Sequence, residues 1–314
     1  MIVSGTSPVV TAGAGNDLVC VTQTTGAAAA SEYFDVYVDA GTGDDIVDTT
    51  ATSGRTKALL GSGVDRYPGG AGVDIVDGDG IDDEVLSGGG DDHLVLRIAG
   101  VSKTTVGWYD GGAGVDIVTV QSATAALDVA LDGRILVDGV QAAGLNGFHN
   151  AYVAASRVVL RGTGDDDRLS VTGCDLRIHG GAGDDTLLRV GGAGFVALPQ
   201  CEDKLRSFGG PGDDKIYGNT DSDRLSGNAG NDVLTGDGDP DVLLGGPGHD
   251  RLRGSLGADV LEGHGGDDIL EGEDGNDTIL GGRGGDTAFG GEDKDLCIAE
   301  VERDCEKRKW RPHD

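Results

Sequence analysis

The sequence predicts an all-β chain wound as a right-handed parallel solenoid, a β-roll or β-helix. Three observations carry that expectation. Glycine supplies 59 of the 314 residues, far above its usual share. Aspartate recurs every ninth residue over one long stretch. An apolar residue follows each of those aspartates at the second position. Composition bias supplies many glycines, but it does not supply this phase.

The regular stretch begins GGPGDDKIY, GNTDSDRLS, GNAGNDVLT, GDGDPDVLL, GGPGHDRLR. Its aspartates are Asp214, Asp223, Asp232, Asp241, Asp250, Asp259, Asp268, Asp277, Asp286 and Asp295. Glycine opens every unit, from Gly209 to Gly290, and often recurs at the fourth position. There it permits a positive φ and a tight turn. Asn, Asp or Gly at the second position tolerates a left-handed backbone. Each six-residue turn is followed by a short strand whose middle residue points inward: Ile216, Leu225, Leu234, Leu243, Leu252, Leu261, Leu270, Ile279, Ala288 and Cys297. Two units make one coil of 18 residues, and coils stack about 4.8 Å apart.

In such a solenoid Asp214, Asp232, Asp250, Asp268 and Asp286 stack along one edge, and the other five aspartates along the other. Carboxylates about 5 Å apart repel by roughly 1 kcal/mol per pair in water, and by more at lower dielectric. A hard divalent cation held by carboxylate and turn-carbonyl oxygens removes that repulsion. Oxygen-only ligands favour Ca²⁺ over Zn²⁺, which takes His or Cys. The plainer reading is that these aspartates cap turns through their own hydrogen bonds. Asn or Ser would then serve as well, and neither occurs at the sixth position of the array.

GGPGDDKIY, GNAGNDVLT and GGPGHDRLR resemble the glycine-rich nonapeptide of RTX (hemolysin-type) calcium-binding proteins, GGxGxDxUx. The resemblance covers residues 209–297. It implies a parallel β-roll in which the sixth-position aspartates and loop carbonyls bind multiple Ca²⁺ ions, in a secreted, extracellular protein. The end of the chain, DLCIAEVERDCE, is similar to the ends of secreted members in which two cysteines close the last coil. That similarity implies a Cys297–Cys305 disulfide.

The same phase returns, broken, upstream. Asp65, Asp74, Asp83 and Asp92 keep the nine-residue spacing. Isolated copies stand at Asp17, Asp45 and Asp116, while Asp167, Asp185 and Asp203 are 18 apart. Leu169, Ile178, Leu187 and Leu205 then fall at inward positions, and Leu176 replaces an aspartate. Insertions separate these motifs at 18–40, 93–110 and 117–161. Alternation in Phe34, Val36 and Val38, and in Leu127, Val129 and Leu131, suggests larger coils of the same solenoid. Residues 127–169 resemble the longer connecting turns between RTX arrays. Expected organisation is therefore an irregular β-helix with insertions over 1–206, the regular roll over 207–297, and a cap with a basic tail over 298–314. No Pro/Ser linker marks a boundary, so one continuous rod is expected. Pairing same-edge aspartates gives twelve candidate Ca²⁺ sites, including 65–83, 74–92, 167–185 and 185–203. Their charge of about +24 would offset most of the formal −31.

That net charge excludes nucleic acid and an anionic membrane surface as partners. No apolar run is long enough to span a bilayer. Met1–Thr11 carries neither a basic segment nor an apolar core, so a removed leader or another export route is expected. The five cysteines, Cys20, Cys174, Cys201, Cys297 and Cys305, leave at least one unpaired within the chain. Neither H-E-x-x-H nor G-x-S-x-G occurs. Asp237, Asp239 and Asp241 imitate the start of an EF-hand, but Val242 and Gly248 stand where its glycine and glutamate belong. The scattered histidines, His249 and His264 among them, read as solvated turn residues. Phe148, His149, Asn150 and Tyr152, with Arg134 and Asp138 near them in sequence, form the one patch that might host chemistry. Trp108 and Tyr109 read either as a stacking surface for sugar or as packing over a coil edge. The basic run Lys307, Arg308, Lys309 and Arg311 reads as an end cap. The expectation is a non-enzymatic calcium-binding protein with a structural, adhesive or surface-associated role and a possible cell-surface or polysaccharide partner. The alternative is a carbohydrate-active lyase or epimerase on a β-helix. Ice binding fails for want of an outward Thr or Asn row.

Overall fold

The computed structural model describes residues 1–4, 9–23, 34–98, 106–190 and 204–305. Among them every regular element is a strand. They form two compact units, the first ending at Val158 and the second starting at Val159.

In the second unit two parallel sheets grow one strand per half-coil. One holds Asp175–His179, Lys204–Pro211, Arg224–Ala229, Val242–Pro247, Val260–Gly265, Thr278–Arg283 and Leu296–Ile298. The other runs from Arg168–Thr172 to Val301–Arg303. Within the array the register shift is 18 residues, so Leu225 lies on Leu243, Leu243 on Leu261 and Leu261 on Ile279. Strand periodicity turns alternate residues inward. Leu225, Leu234, Leu243, Leu252, Leu261, Leu270 and Ile279 are all fully buried. This seam of single leucines and isoleucines is narrow, at roughly 1.5–3 kcal/mol per buried side chain.

The turns explain the glycines in two different ways. At the fourth position φ reaches 140° at Gly230 and 152° at Gly248, a region essentially reserved for glycine. Second-position residues are left-handed, as at Asn228 (φ 78°) and Asp237 (φ 95°), where Asn and Asp are tolerated. The glycine that opens each unit is there for space. A Cβ on Gly227 would collide with the Asp232 carboxylate, and one on Gly209 with the carboxylate of Asp214. The sixth-position side chain folds back over its own turn.

The first unit has the same construction with uneven coils. One parallel sheet runs Ile2–Ser4, Leu18–Gln23, Ile46–Asp48, Arg66–Pro68, Glu84–Leu86, Gly107–Asp110 and Val140–Asn146. Its companion runs Val9–Ala14, Val36–Thr42, Thr56–Gly61, Asp74–Gly78, His93–Arg97, Ile117–Gln121 and Asn150–Ala154. Residues 126–146 depart from the expectation of larger coils or long connecting turns. Ala126–Ala130, Arg134–Val137 and Val140–Asn146 form an antiparallel meander. Its second turn is Asp138-Gly139, with φ of 51° and 82°, the signature of a tight hairpin. The Asp138 carboxylate accepts the Ala126 N–H at 2.9 Å from the first strand of the meander.

Cys297 and Cys305 are disulfide-bonded, as the resemblance implied, and the bond ties the last coil. Cys174 is also in a disulfide. Cys20 is the free thiol among the described residues.

Candidate metal centre

The sixth-position aspartates gather into four columns, two in each unit. In the first unit they are Asp17–Asp45–Asp65–Asp83 and Asp74–Asp92–Asp116. In the second, Asp167, Asp185, Asp214, Asp232, Asp250, Asp268 and Asp286 form one column. Asp223, Asp241, Asp259, Asp277 and Asp295 form the other. Every step is made alike. The backbone N–H of one aspartate donates to Oδ1 of the aspartate one coil on, at 2.7–3.0 Å.

The pairing differs from the sequence expectation in two respects. Asp17, Asp45 and Asp116 are not isolated. Coils of 28, 20 and 24 residues bring them onto Asp45, Asp65 and Asp92. Asp185 in turn is followed by Asp214, 29 residues on. Asp203 lies outside the described residues, and the place below Asp223 belongs to Leu205. Its N–H donates to Asp223 Oδ1 at 3.0 Å, and its buried side chain sits on Leu176. The inward position beside Leu225 is then Ser207. Fifteen stacked pairs result among the described residues, in place of twelve.

Oδ1 therefore does cap a backbone amide, across coils, as the plainer reading proposed. The second oxygen has another use. Oδ2 of Asp45, Asp65, Asp83, Asp92, Asp116, Asp185, Asp214, Asp232, Asp241, Asp250, Asp259, Asp268, Asp277 and Asp286 is buried with no hydrogen-bond partner among the described residues. A buried carboxylate oxygen left without a partner is costly. Asn could cap through its single oxygen, but it would put an N–H₂ group in place of the buried second oxygen. A cation suits that place.

The electrostatics agree. Burial, reinforced by neighbouring aspartates, pushes Asp241 up to about 8 and Asp185, Asp214 and Asp250 to about 7. Burial likewise raises Asp83 and Asp92 to about 7 and Asp65 to about 6. Without a counter-ion these aspartates hold protons well above the usual carboxylate range. The donor set also selects the ion. No cluster of three or more His, Cys, Asp or Glu side chains occurs among the described residues. Any bound ion takes at most two carboxylates here and completes its shell with turn carbonyls or water. That is a calcium-like set, not one for zinc or copper.

A second ladder escaped sequence reasoning. The residue before each aspartate of the long column accepts from the next coil, with the opposite polarity. Asp213 takes the Asn231 N–H at 2.7 Å and Asn231 takes that of His249 at 2.9 Å. His249 Nδ1 takes the Asp267 N–H at 2.8 Å, and Asp267 that of Gly285 at 2.7 Å. His249 is exposed, as expected, yet it is a rung. The legible signal was a side-chain acceptor at the fifth position every 18 residues.

The patch considered for chemistry separates into structural parts. Phe148 and Tyr109 are buried in the core. Asp138 caps the hairpin, and Trp108 lies over Gly144, where a Cβ would strike its ring. His149 and Asn150 donate backbone N–H groups to the Asp116 carbonyl. The basic run 307–311 lies outside the described residues.

Comparison with known families now adds the ion's name. The family model of the RTX calcium-binding nonapeptide repeat (four copies) matches residues 208–243, 244–279 and 271–304. Residues 208–304 thus match RTX calcium-binding repeats, in an all-β roll, and the match supports calcium as the ligand of the array. No curated protein matches the chain.

Proposed function

We propose that this is an exported calcium-binding repeat protein, free of catalytic activity, whose folded solenoid serves a structural or adhesive role at or beyond the cell surface. The reading is carried by the buried, unpartnered Oδ2 atoms of the aspartate columns, within a region that matches calcium-binding repeats. Sites of this type exist only in the coiled chain, so binding energy is folding energy. At the low calcium of a cytosol the columns stay open and the chain remains fit for export. Extracellular modules bind calcium at roughly 10⁻⁴–10⁻³ M, so export into millimolar calcium closes the coils. The fifteen pairs extend to Asp17, so calcium binding reaches beyond the matched array.

Native mass spectrometry in calcium tests the site assignment. About fifteen ions are expected per chain, and Asp250→Asn, which touches two pairs, should lose about two. A count limited to the second unit, near ten, would remove the first unit from the proposal. A count of zero or one would overturn it altogether. The non-enzymatic part is tested by incubating the calcium-loaded protein with acidic polysaccharides and following chain length. No shortening or new unsaturated end is expected, and either would replace this reading with a lyase.

A further inference from the structure

We infer that the outer face at the start of the second unit binds an anionic polysaccharide, carboxylated or sulfated. On neighbouring strands the register places Arg177 beside Arg206 and Arg206 beside Arg224. All three are exposed. Adjacent strands are about 4.8 Å apart, and like charges directly opposite one another destabilise a sheet. Several outward arginines elsewhere meet an acid across the coils: Arg66 with Glu84 at 2.8 Å, Arg251 with Glu271 at 3.2 Å, and Arg97 with Asp77. Among the described residues, Arg177, Arg206 and Arg224 make no ion pair. In a chain of charge −31, that stack of three guanidinium groups is complementary to an external polyanion.

The same face carries a flat apolar platform. Two residues beyond Arg177 and Arg206 on the same strands, the rings of His179 and Phe208 stack, with centroids 4.9 Å apart and planes 8° from parallel. They border a cleft of about 430 Å³, also lined by Pro211 and Asn228. Guanidinium forks recognise carboxylate and sulfate in two-pronged fashion. A stacked ring pair offers a surface to the C–H face of a sugar. The strand spacing also resembles the advance of one unit in an extended glycan, so consecutive anionic sugars can meet consecutive arginines. Polyphosphate would meet the guanidinium groups alone, with nothing to lay on the ring pair. The inference rests on the calcium-bound solenoid proposed above, because the three strands come into register only when the coils are stacked.

The test titrates the full-length protein in millimolar calcium with hexasaccharides too short to gel: an oligouronate, a heparin-derived sulfated hexamer and neutral cellohexaose. Polyphosphate is the competitor, and circular dichroism is recorded on each variant. Binding of one or both anionic hexamers is expected, with none of cellohexaose, and the responding arm tells carboxylate from sulfate. Arg206→Gln and Arg224→Gln should each weaken binding tenfold or more, whereas Arg251→Gln should not change it. Absence of binding to both anionic hexamers, equal binding by the Arg206 and Arg224 variants, or equal affinity for polyphosphate overturns the inference. If that happens while the calcium-induced spectrum is intact, the calcium-folding reading stands. A protein with no calcium response at all overturns that reading instead.

Discussion

Chelating calcium will erase most of the β signal of this protein at pH 8, and returning millimolar calcium will restore it cooperatively. The reason is a comparison of magnitudes. Fifteen stacked carboxylate pairs about 5 Å apart repel by roughly 1 kcal/mol each even with full water screening. A domain's whole net stability is about 5–15 kcal/mol. In the array the apolar seam adds little margin against that, because it is one side chain wide along each sheet. Ala288 and Cys297 narrow it further at the last coils. Far-UV circular dichroism during a calcium titration, with EGTA reversal, is the measurement. The transition should fall between about 0.1 mM and several millimolar, the range of extracellular modules. Magnesium, which demands near-ideal octahedral geometry and sheds water reluctantly, should leave the chain unfolded. A spectrum unchanged in EGTA at pH 8 would show that the seam alone holds the coils. The columns would then be a consequence of the fold and not its condition.

The array was legible because sequence and structure share one period there. Ten aspartates nine residues apart fix a register of 18, and the strands obey it. What escaped was continuity across insertions. Coils of 28 and 24 residues still return to register, so Asp17 and Asp116 stay in column although no period reveals it. The place below Asp223 was open to two counts. Counting forward 18 from Asp185 reaches Asp203, whereas counting back nine from Asp214 reaches Leu205. The structure follows the second count, because Lys204–Pro211 must enter the array in phase with Arg224–Ala229. The 29-residue interval from Asp185 to Asp214 absorbs the mismatch. The meander at 126–146 was hidden in another way. Alternation reports that a segment is a strand, not which way its neighbour runs. The Asp138-Gly139 dipeptide was the overlooked sign of a hairpin. The opening glycine of each unit was assigned to backbone freedom, when the folded-back carboxylate is what denies it a Cβ. That contact is tertiary, and no local propensity contains it.

Acid should do part of calcium's work. In the metal-free fold Asp241 titrates at about 8, Asp185, Asp214, Asp223 and Asp250 at about 7, and Asp232 and Asp277 at about 6. Burial is the main cause in each case. In the unfolded chain the same groups titrate near the ordinary value of about 3.9. The folded state therefore binds more protons than the unfolded state between about pH 4 and pH 8. By linkage its stability falls as pH rises through that window and recovers as pH is lowered. This is opposite in sign to the usual salt-bridged aspartate. In EGTA, lowering the pH from 8 to about 5 should recover a substantial part of the β signal lost on chelation. Sodium chloride at about 0.5 M and pH 8 should not, since salt screens exposed charges far more than buried ones. The same linkage requires calcium to displace protons. Titration calorimetry near pH 5, where the metal-free chain is folded and protonated, in buffers of different ionisation enthalpy, should therefore show net proton release that fades towards pH 8. The calcium midpoint should correspondingly rise as the pH is lowered from 8 towards 6. If the EGTA-treated chain is as unfolded at pH 5 as at pH 8, and calcium releases no protons, the carboxylates are not buried together without metal. The columns would then have to be assembled by the ion itself, and not merely neutralised by it.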